Sequence, residues 1–267
     1  MEKPELWPEG FRANKKLGQH FLIDESVAEL EASYCKGRRV IELGPGLGML
    51  TRRLCESARE VVAVEKDHRL YSELASSISF PNLTLLNADF FSLGSKELEG
   101  WDMLASNVPY MLSSKVIDWL LERKIEALLC LQKEFVERML ATVGSRNYSR
   151  LSVMSALLLD VERIAEVPAE KFFPKPRVDS EIIHVKPLDR QVSAEEARII
   201  KLLMEHKKKR LRNSIIDSSK ALGLSKESAR NIAGNVENSG ERVFRLPPQE
   251  LLFLASALAK KLNLQKE

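Results

Sequence analysis

The chain has 267 residues, 44% hydrophobic and 30% charged, enough for one large domain or for one domain with a smaller companion. No apolar run approaches the ~18 residues a membrane-spanning helix needs, and the opening MEKPELWPEGFRANKK lacks the apolar stretch of a signal peptide. A soluble, cytoplasmic protein is expected. Cys35, Cys55 and Cys130 lie far apart without metal-ligand spacing, so they read as buried thiols in a reducing compartment, and no metal is expected. The net charge of +3 is unevenly spread: from Asp189 onward there are 16 Lys+Arg against 10 Asp+Glu, and before it 25 against 28. A basic segment on a near-neutral body suggests a polyanionic partner, although a solvated helical surface accounts for the same composition.

In chain order, short β-branched runs alternate with helical spacing. Strands are predicted at Arg39–Leu43, Val61–Glu65, Leu83–Asn87, Met103–Ser106 and Ala127–Gln132, with helices across Leu50–Ser57, His68–Ser77 and Ser113–Arg123. That alternation predicts an α/β fold with a mostly parallel sheet and helices on both faces. Asp160–Val167 and Ile182–Val185 are further strands that extend the sheet. After Pro187 the pattern becomes helical: Ser193 caps a long helix from Ala194 towards Ile216, and helices follow at about Lys226–Ala233 and Pro248–Leu262. Two domains are therefore expected, residues 1–187 catalytic and 188–267 small, all-helical and basic.

The stretch VIELGPGLGMLT runs from a strand through Gly44, Gly46 and Gly48 into a helix. Glycines there permit tight turning and close approach of backbone to a ligand. The spacing is Gly-x-Gly-x-Gly and differs from the Gly-x-Gly-x-x-Gly of dinucleotide binders. Glu65 ends the next strand, where an acid accepts from both hydroxyls of a ribose, and Asp89 follows the third strand, placed to accept from an adenine amino group. The plainer reading makes both acids solvated loop residues; their regular placement at successive strand ends argues against it. The arrangement resembles Rossmann-like, class I methyltransferases that use S-adenosylmethionine. Glu42 has two open roles, facing the cationic part of that ligand or supporting the glycine loop.

After the fourth strand stands NVPY, Asn107–Tyr110. An adenine amino group is a poor nucleophile because its lone pair is delocalised into the ring. Two acceptors that hold its hydrogens favour a pyramidal nitrogen: the Asn107 side-chain oxygen is one, and the carbonyl of Val108 or Pro109 the other. Pro109 fixes the turn, and Tyr110 offers a ring on which the base stacks. Positioning carries such a displacement without a strong general base. A flipped base needs a second wall, for which Phe172 and Phe173 are candidates, with core packing ahead of a Pro-rich turn as the alternative.

Taken together, KKLGQHFLID, IELGPGLGMLT, AVEKD, NADF, NVPY, QKEFVERM, the Phe-x-Pro-x-Pro-x-Val-x-Ser pattern at Phe172–Ser180, HKKKRLRNSI and RVFRLPPQEL resemble the KsgA-type family of ribosomal RNA adenine N6,N6-dimethyltransferases, over nearly the whole chain. The resemblance implies that His20, Leu22, Gly44, Gly46, Glu65, Asp89 and Asn107 bind S-adenosylmethionine, which leaves as S-adenosylhomocysteine. It implies that Asn107, Pro109 and Tyr110 hold the target adenine with Phe172 stacked on it. Two methyls would go to each of two adjacent adenines in a hairpin near the 3′ end of small-subunit rRNA, inside an immature small ribosomal subunit, during ribosome biogenesis. His20 stands where the family often has Asn, and Val108 where Leu or Ile is commoner.

Lys207, Lys208, Lys209, Arg210 and Arg212 support RNA binding independently, as a collar of charge around the long helix; a solvated surface is again the alternative. Lys15 and Lys16 add to the same field. Competing readings are the related macrolide-resistance methyltransferases, which modify one adenine of large-subunit rRNA, a DNA adenine methyltransferase, and a ribosome-assembly factor that binds more than it catalyses. A complete site in one chain favours a monomer.

Overall fold

The structure, a computed structural model, describes residues 13–14, 18–94 and 99–264. A two-residue strand β1 (Phe21–Leu22) precedes helix α1 (Glu25–Ser33), whose first turn is capped by the Asp24 carboxylate accepting from Val27 N–H. Strands and helices then alternate: β2 (Arg39–Leu43), α2 (Met49–Ser57), β3 (Glu60–Glu65), α3 (His68–Ser77), β4 (Leu83–Asn87), β5 (Met103–Asn107), α4 (Ser113–Arg123) and β6 (Glu126–Gln132). The chain continues through α5 (Lys133–Met139), α6 (Arg150–Leu158), β7 (Leu159–Val167), a short β8 (Phe172–Phe173) and β9 (Ser180–Pro187). Helices α7 (Ala194–Glu205), α8 (Leu211–Asp217), α9 (Lys226–Gly234) and α10 (Pro248–Leu264) complete it.

Seven strands form one sheet in the order β4-β3-β2-β5-β6-β9-β7, with β4 to β6 parallel and β9 antiparallel to β6. Val40, Ile41, Val61 and Ala63 are fully buried, as continuous apolar runs are when both faces of a parallel sheet are covered. The strand order reverses at β2: the chain steps outward to β3 and β4, then returns to the other side for β5. The crevice beyond the carboxyl ends of β2 and β5 is thus the place where open α/β sheets take their ligands. This is the Rossmann-like methyltransferase architecture expected from the alternation.

The chain divides into two compact units, residues up to Phe135 with Val161–Pro187, and Val136–Asp160 with Leu188–Glu267. The second differs from the expected residues 188–267 because a segment from the middle of the chain belongs to it. Tyr148 Oη donates to the Leu246 carbonyl, and Gly144 N–H donates to that of Phe244. Within this unit α10 packs on α6 and α7, and α8 on α9, around Ile199, Leu203, Leu211, Ile215, Leu251 and Ala255. The long helix expected from Ala194 towards Ile216 is two helices. It starts as predicted, with a capping box between Ser193 and Glu196, and ends at Glu205. The break has a cause: Leu211 N–H donates to Glu241, Arg212 N–H to Ser239, and the Lys207 and Lys209 carbonyls accept from Phe244 and Val243. These bonds to a distant loop replace the helical ladder.

Among the described residues no helix is long and apolar enough to cross a membrane. All three cysteines are buried and unpaired, and burial pushes the Cys35 and Cys55 thiols up to about 12.

Candidate active site

A cavity of about 480 Å³ opens at the carboxyl ends of β2, β3 and β5. Its floor is the loop between β2 and α2, where Gly44, Gly46 and Gly48 all have positive φ, 69°, 59° and 84°. At Gly46 a Cβ would lie 2.8 Å from Phe21 Cδ1, and at Gly48 one would lie 2.4 Å from Leu74 Cδ1. Both the left-handed backbone and the close packing therefore demand glycine.

Glu65, buried at the end of β3, holds this loop. Its Oε2 accepts from Gly46 N–H at 3.3 Å and its Oε1 from Asp67 N–H at 2.8 Å, while burial raises its pKa. A carboxylate has about four acceptor sites, so both oxygens keep capacity for a ligand. The loop-supporting role left open for Glu42 thus falls to Glu65. Glu42 instead lines the cavity as a buried acid whose Oε2 has no partner, and burial pushes it up to about 8, with Thr51 opposing and Glu31 and Glu65 reinforcing the rise. Asp89 lines the far side. Its Oδ1 accepts from Phe91 N–H at 3.0 Å and its Oδ2 from Lys66 Nζ at 2.8 Å, and the Lys66 ammonium holds its carboxyl below the usual range.

The NVPY segment leaves β5 into a tight turn in which Leu112 N–H donates to the Pro109 carbonyl. Asn107, Pro109, Tyr110 and Phe172 converge with His20 and Ser180 on a second chamber of only about 10 Å³, beside the main cavity. Asn107 lines both spaces. Its Nδ2 donates to Glu31 Oε2 at 3.0 Å, and its Oδ1 is buried without a partner. The Tyr110 hydroxyl meets Ser180 Oγ at 2.9 Å, and its ring stacks on His20 with centroids 5.7 Å apart. His20 Nδ1 lies 2.6 Å from the Pro174 carbonyl, which only accepts, so Nδ1 carries the proton. Two remote motifs meet here because β1 and β8 pair antiparallel, Phe21 with Phe173 and Leu22 with Phe172. Phe172 is 3% exposed and packs in the hydrophobic core, and it also lines the chamber.

Sequence reasoning missed Glu31. The signal was present: in α1, Ala28 and Ala32 with Cys35 beyond form an apolar stripe at helical spacing, and Glu31 sits on that stripe where an acid is out of place. It also missed Ser180 and the Pro174 carbonyl, whose roles depend on the strand pairing.

The basic run is reassigned in part. Lys207–Arg210 occupy the turn between α7 and α8 and Arg212 the first turn of α8, so the run forms no collar around one long helix. Lys207 Nζ donates to the Arg146 and Tyr148 carbonyls at 3.1 and 2.5 Å, and burial lowers its pKa. Lys209 pairs with Asp217 at 2.6 Å. Lys208, Arg210 and Arg212 are exposed. Lys15 and Lys16 lie outside the described residues.

A glycine loop under a buried strand-end acid, with an Asn-x-Pro-Tyr turn across the crevice on a sheet of this order, defines a Rossmann-like methyltransferase. The sequence profile of the "Ribosomal RNA adenine dimethylase" family matches residues 10–243, and the chain belongs to that family: it is an rRNA adenine methyltransferase. It is 36% identical to a "probable ribosomal RNA small subunit methyltransferase A" of Methanopyrus kandleri over 95% of each chain. A protein of the same description from Pyrococcus abyssi is 35% identical over 91% of this chain and 90% of its own. Among solved structures, a dimethyladenosine transferase from Plasmodium falciparum superposes with a TM-score of 0.77 and 26% identity, over 90% of this chain and 98% of that one. The 23S rRNA methyltransferase ErmE gives 0.63 and 27%, over 90% and 99%.

Fold and family imply S-adenosylmethionine as methyl donor, and the residues present fit it. The cavity is of small-ligand size, its loop offers backbone at close range, and the buried Glu42 carboxyl, unpartnered at Oε2, is an acid that a cationic ligand would favour in its ionised form.

Proposed function

We propose that this protein dimethylates N6 of two adjacent adenines in a hairpin near the 3′ end of small-subunit rRNA, acting as a monomer on an immature small ribosomal subunit in the cytoplasm. The observation that carries the adenine chemistry is the buried, unpartnered Asn107 Oδ1, at the junction of the large cavity and the Tyr110–Phe172 chamber. The preference for the small subunit rests on the description shared by the relatives from Methanopyrus and Pyrococcus.

In this reading His20, Leu22, Gly44, Gly46, Glu65, Asp89 and Asn107 hold S-adenosylmethionine. When bound, that cofactor supplies a methyl group activated by its sulfonium. Asn107 Oδ1 accepts one hydrogen of the adenine amine. Pro109 already spends its carbonyl on the turn, which favours the Val108 carbonyl as the second acceptor. With both hydrogens held out of the ring plane, the nitrogen lone pair is free to attack. Tyr110 and Phe172 form the walls of the base pocket. The chamber between them is far smaller than a purine, so the His20–Tyr110 stack opens when the base enters. Outside the pocket, structured RNA is held through its phosphates, for which Lys208, Arg210 and Arg212 are the available cations and Lys207 and Lys209 the engaged ones.

The test is incubation with S-adenosylmethionine and small subunits lacking the modification, followed by mass spectrometry of the RNA nucleosides. Dimethyladenosine at two adjacent sites near the 3′ end is expected. Product on large-subunit RNA alone would move the assignment to the class that ErmE represents. Cofactor binding without product on either RNA would favour an assembly factor.

A further inference from the structure

We infer that Glu31 is the positioning residue for Asn107: its carboxylate selects the orientation of the Asn107 amide and strengthens Oδ1 as a hydrogen-bond acceptor. The inference deepens the proposed function, since it rests on Asn107 as the acceptor for the adenine amine.

An Asn side chain is nearly symmetric in shape, and turning it over exchanges an acceptor for a donor at almost no steric cost. The chamber needs the acceptor, because the amino group it is to hold brings only hydrogens to it. Something must therefore favour one orientation. Glu31 reaches from α1 under the end of β5, 1% exposed, and its Oε2 accepts from Asn107 Nδ2 at 3.0 Å. An ionised carboxylate only accepts, so only the amide NH₂ is welcome on that side and Oδ1 faces the ligand space. The Oδ1 atom is buried and without a partner, as a group held ready for a ligand would be. A charged acceptor on the NH₂ also polarises the amide and places more negative charge on Oδ1.

The location of Glu31 argues against a purely structural role. The second oxygen, Oε1, is buried without a partner, and Ala28 and Ala32 beside it show that this face of α1 suits small apolar residues. The groups facing it are the Glu42 carboxyl from β2, the Cys130 thiol from β6 and Cys35 just beyond its own helix. Neither thiol is ionised, and Glu42 repels it. Burial pushes the Glu31 carboxyl up to about 8, with only the Asn107 bond opposing. Protonated, Glu31 becomes a donor and accepts the flipped amide. The device is thus responsive to pH, and it is coupled to Glu42, which is pushed up to about 8 as well.

Two measurements test it. In apoprotein labelled with ¹⁵N-asparagine, the Asn107 Nδ2 resonance, assigned by its loss in Asn107→Ala, is followed from pH 6 to 9.5. It is expected to titrate in the wild type and to be flat in Glu31→Gln. In single-turnover methylation of unmodified small subunits, Glu31→Gln is expected to slow the first methyl transfer about tenfold, on the scale of losing one charge-assisted hydrogen bond. Its Kd for S-adenosylhomocysteine is expected to stay within threefold, and its rate to lose the rise with pH seen in the wild type. An Asn107 resonance indifferent to pH in the wild type, or a Glu31→Gln rate equal to wild type across that range, overturns the inference while the functional reading stands. A wild-type protein that makes no product on either subunit overturns the functional reading, and a titrating Asn107 resonance would still support its coupling to Glu31.

Discussion

The crevice at the ends of β2 and β5 and the turn between α7 and α8 both carry a concentration of functional-looking residues, and the structure treats them differently. In the crevice, motif and geometry coincide. Gly44, Gly46 and Gly48 adopt the positive φ that only their type accepts cheaply, and Glu65 stands one hydrogen bond from Gly46. In the turn and the start of α8, five basic residues of similar appearance divide into Lys207, held by backbone carbonyls, Lys209, paired with Asp217 at the surface, and Lys208, Arg210 and Arg212, which are exposed. The difference lies in what fixes a side chain. Residues at strand ends are located by backbone register, which short-range pattern reveals. Long cations are located by whichever carbonyl or carboxylate comes within reach, and those partners, Arg146 and Tyr148 for Lys207, are remote in sequence.

The sharpest way to break this comparison is to remove the residue in which the crevice's chemistry converges. Asn107→Ala deletes a preorganised acceptor, and such groups are worth about 10²–10³ in kcat. A loss of that order is expected in single-turnover methylation, with S-adenosylhomocysteine affinity changed far less, because the glycine loop and Glu65 are untouched. A drop under fivefold would show that Asn107 is a bystander and that motif and geometry coincide here without chemical consequence.

That residue also marks how far sequence carries. Asn107, Pro109, Tyr110 and Phe172 were all legible and do line one chamber, because NVPY follows a short, continuously buried run that reads as a strand. The five parallel strands of the sheet were legible for the same reason, to within one residue at their ends. Glu31 was not, since reading it required knowing that α1 lies against the end of β5. Nor was the pairing of Phe21–Leu22 with Phe172–Phe173, two-residue strands too short to show a period. The break of the expected long helix after Glu205 was hidden because the loop at 239–244 competes for its backbone groups, a tertiary effect that local propensity does not contain.

A smaller effect sharpens the crevice side. Glu42 is buried and pushed up to about 8, so the folded state binds a proton more tightly than the unfolded chain, where the carboxyl titrates near its ordinary 4.5. Stability from this group is fully present below about 4.5 and is lost as pH rises towards about 8. Glu42→Gln is therefore expected to raise the melting temperature of the apoprotein more at pH 8 than at pH 5, and to weaken binding of the cationic cofactor. Equal stabilisation at both pH values would mean that the carboxyl is ionised throughout and solvated.

On the other side of the comparison, Arg210→Ala with Arg212→Ala removes two exposed cations beside the turn. If each meets one phosphate, the slope of log K against log salt should fall by about 2, measured on naked small-subunit RNA. An unchanged slope would move the RNA footprint elsewhere.

Lys209→Ala provides the smallest and most discriminating change. By composition it equals its neighbours, one charge in a row of four. By structure its ammonium is committed to Asp217 at 2.6 Å, at the surface, with both side chains 40% exposed or more. An exposed ion pair contributes about 0.2–1 kcal/mol, so the melting temperature should move by only a few degrees. Because removing Lys209 releases the negative charge of Asp217 beside the same turn, RNA affinity should weaken a little by repulsion while the salt slope changes by well under 1. A full unit of slope would mean that Lys209 leaves Asp217 for a phosphate on binding. In that event the partners seen within the free protein would not predict which cations RNA takes, and the turn would act as a reservoir of exchangeable charge.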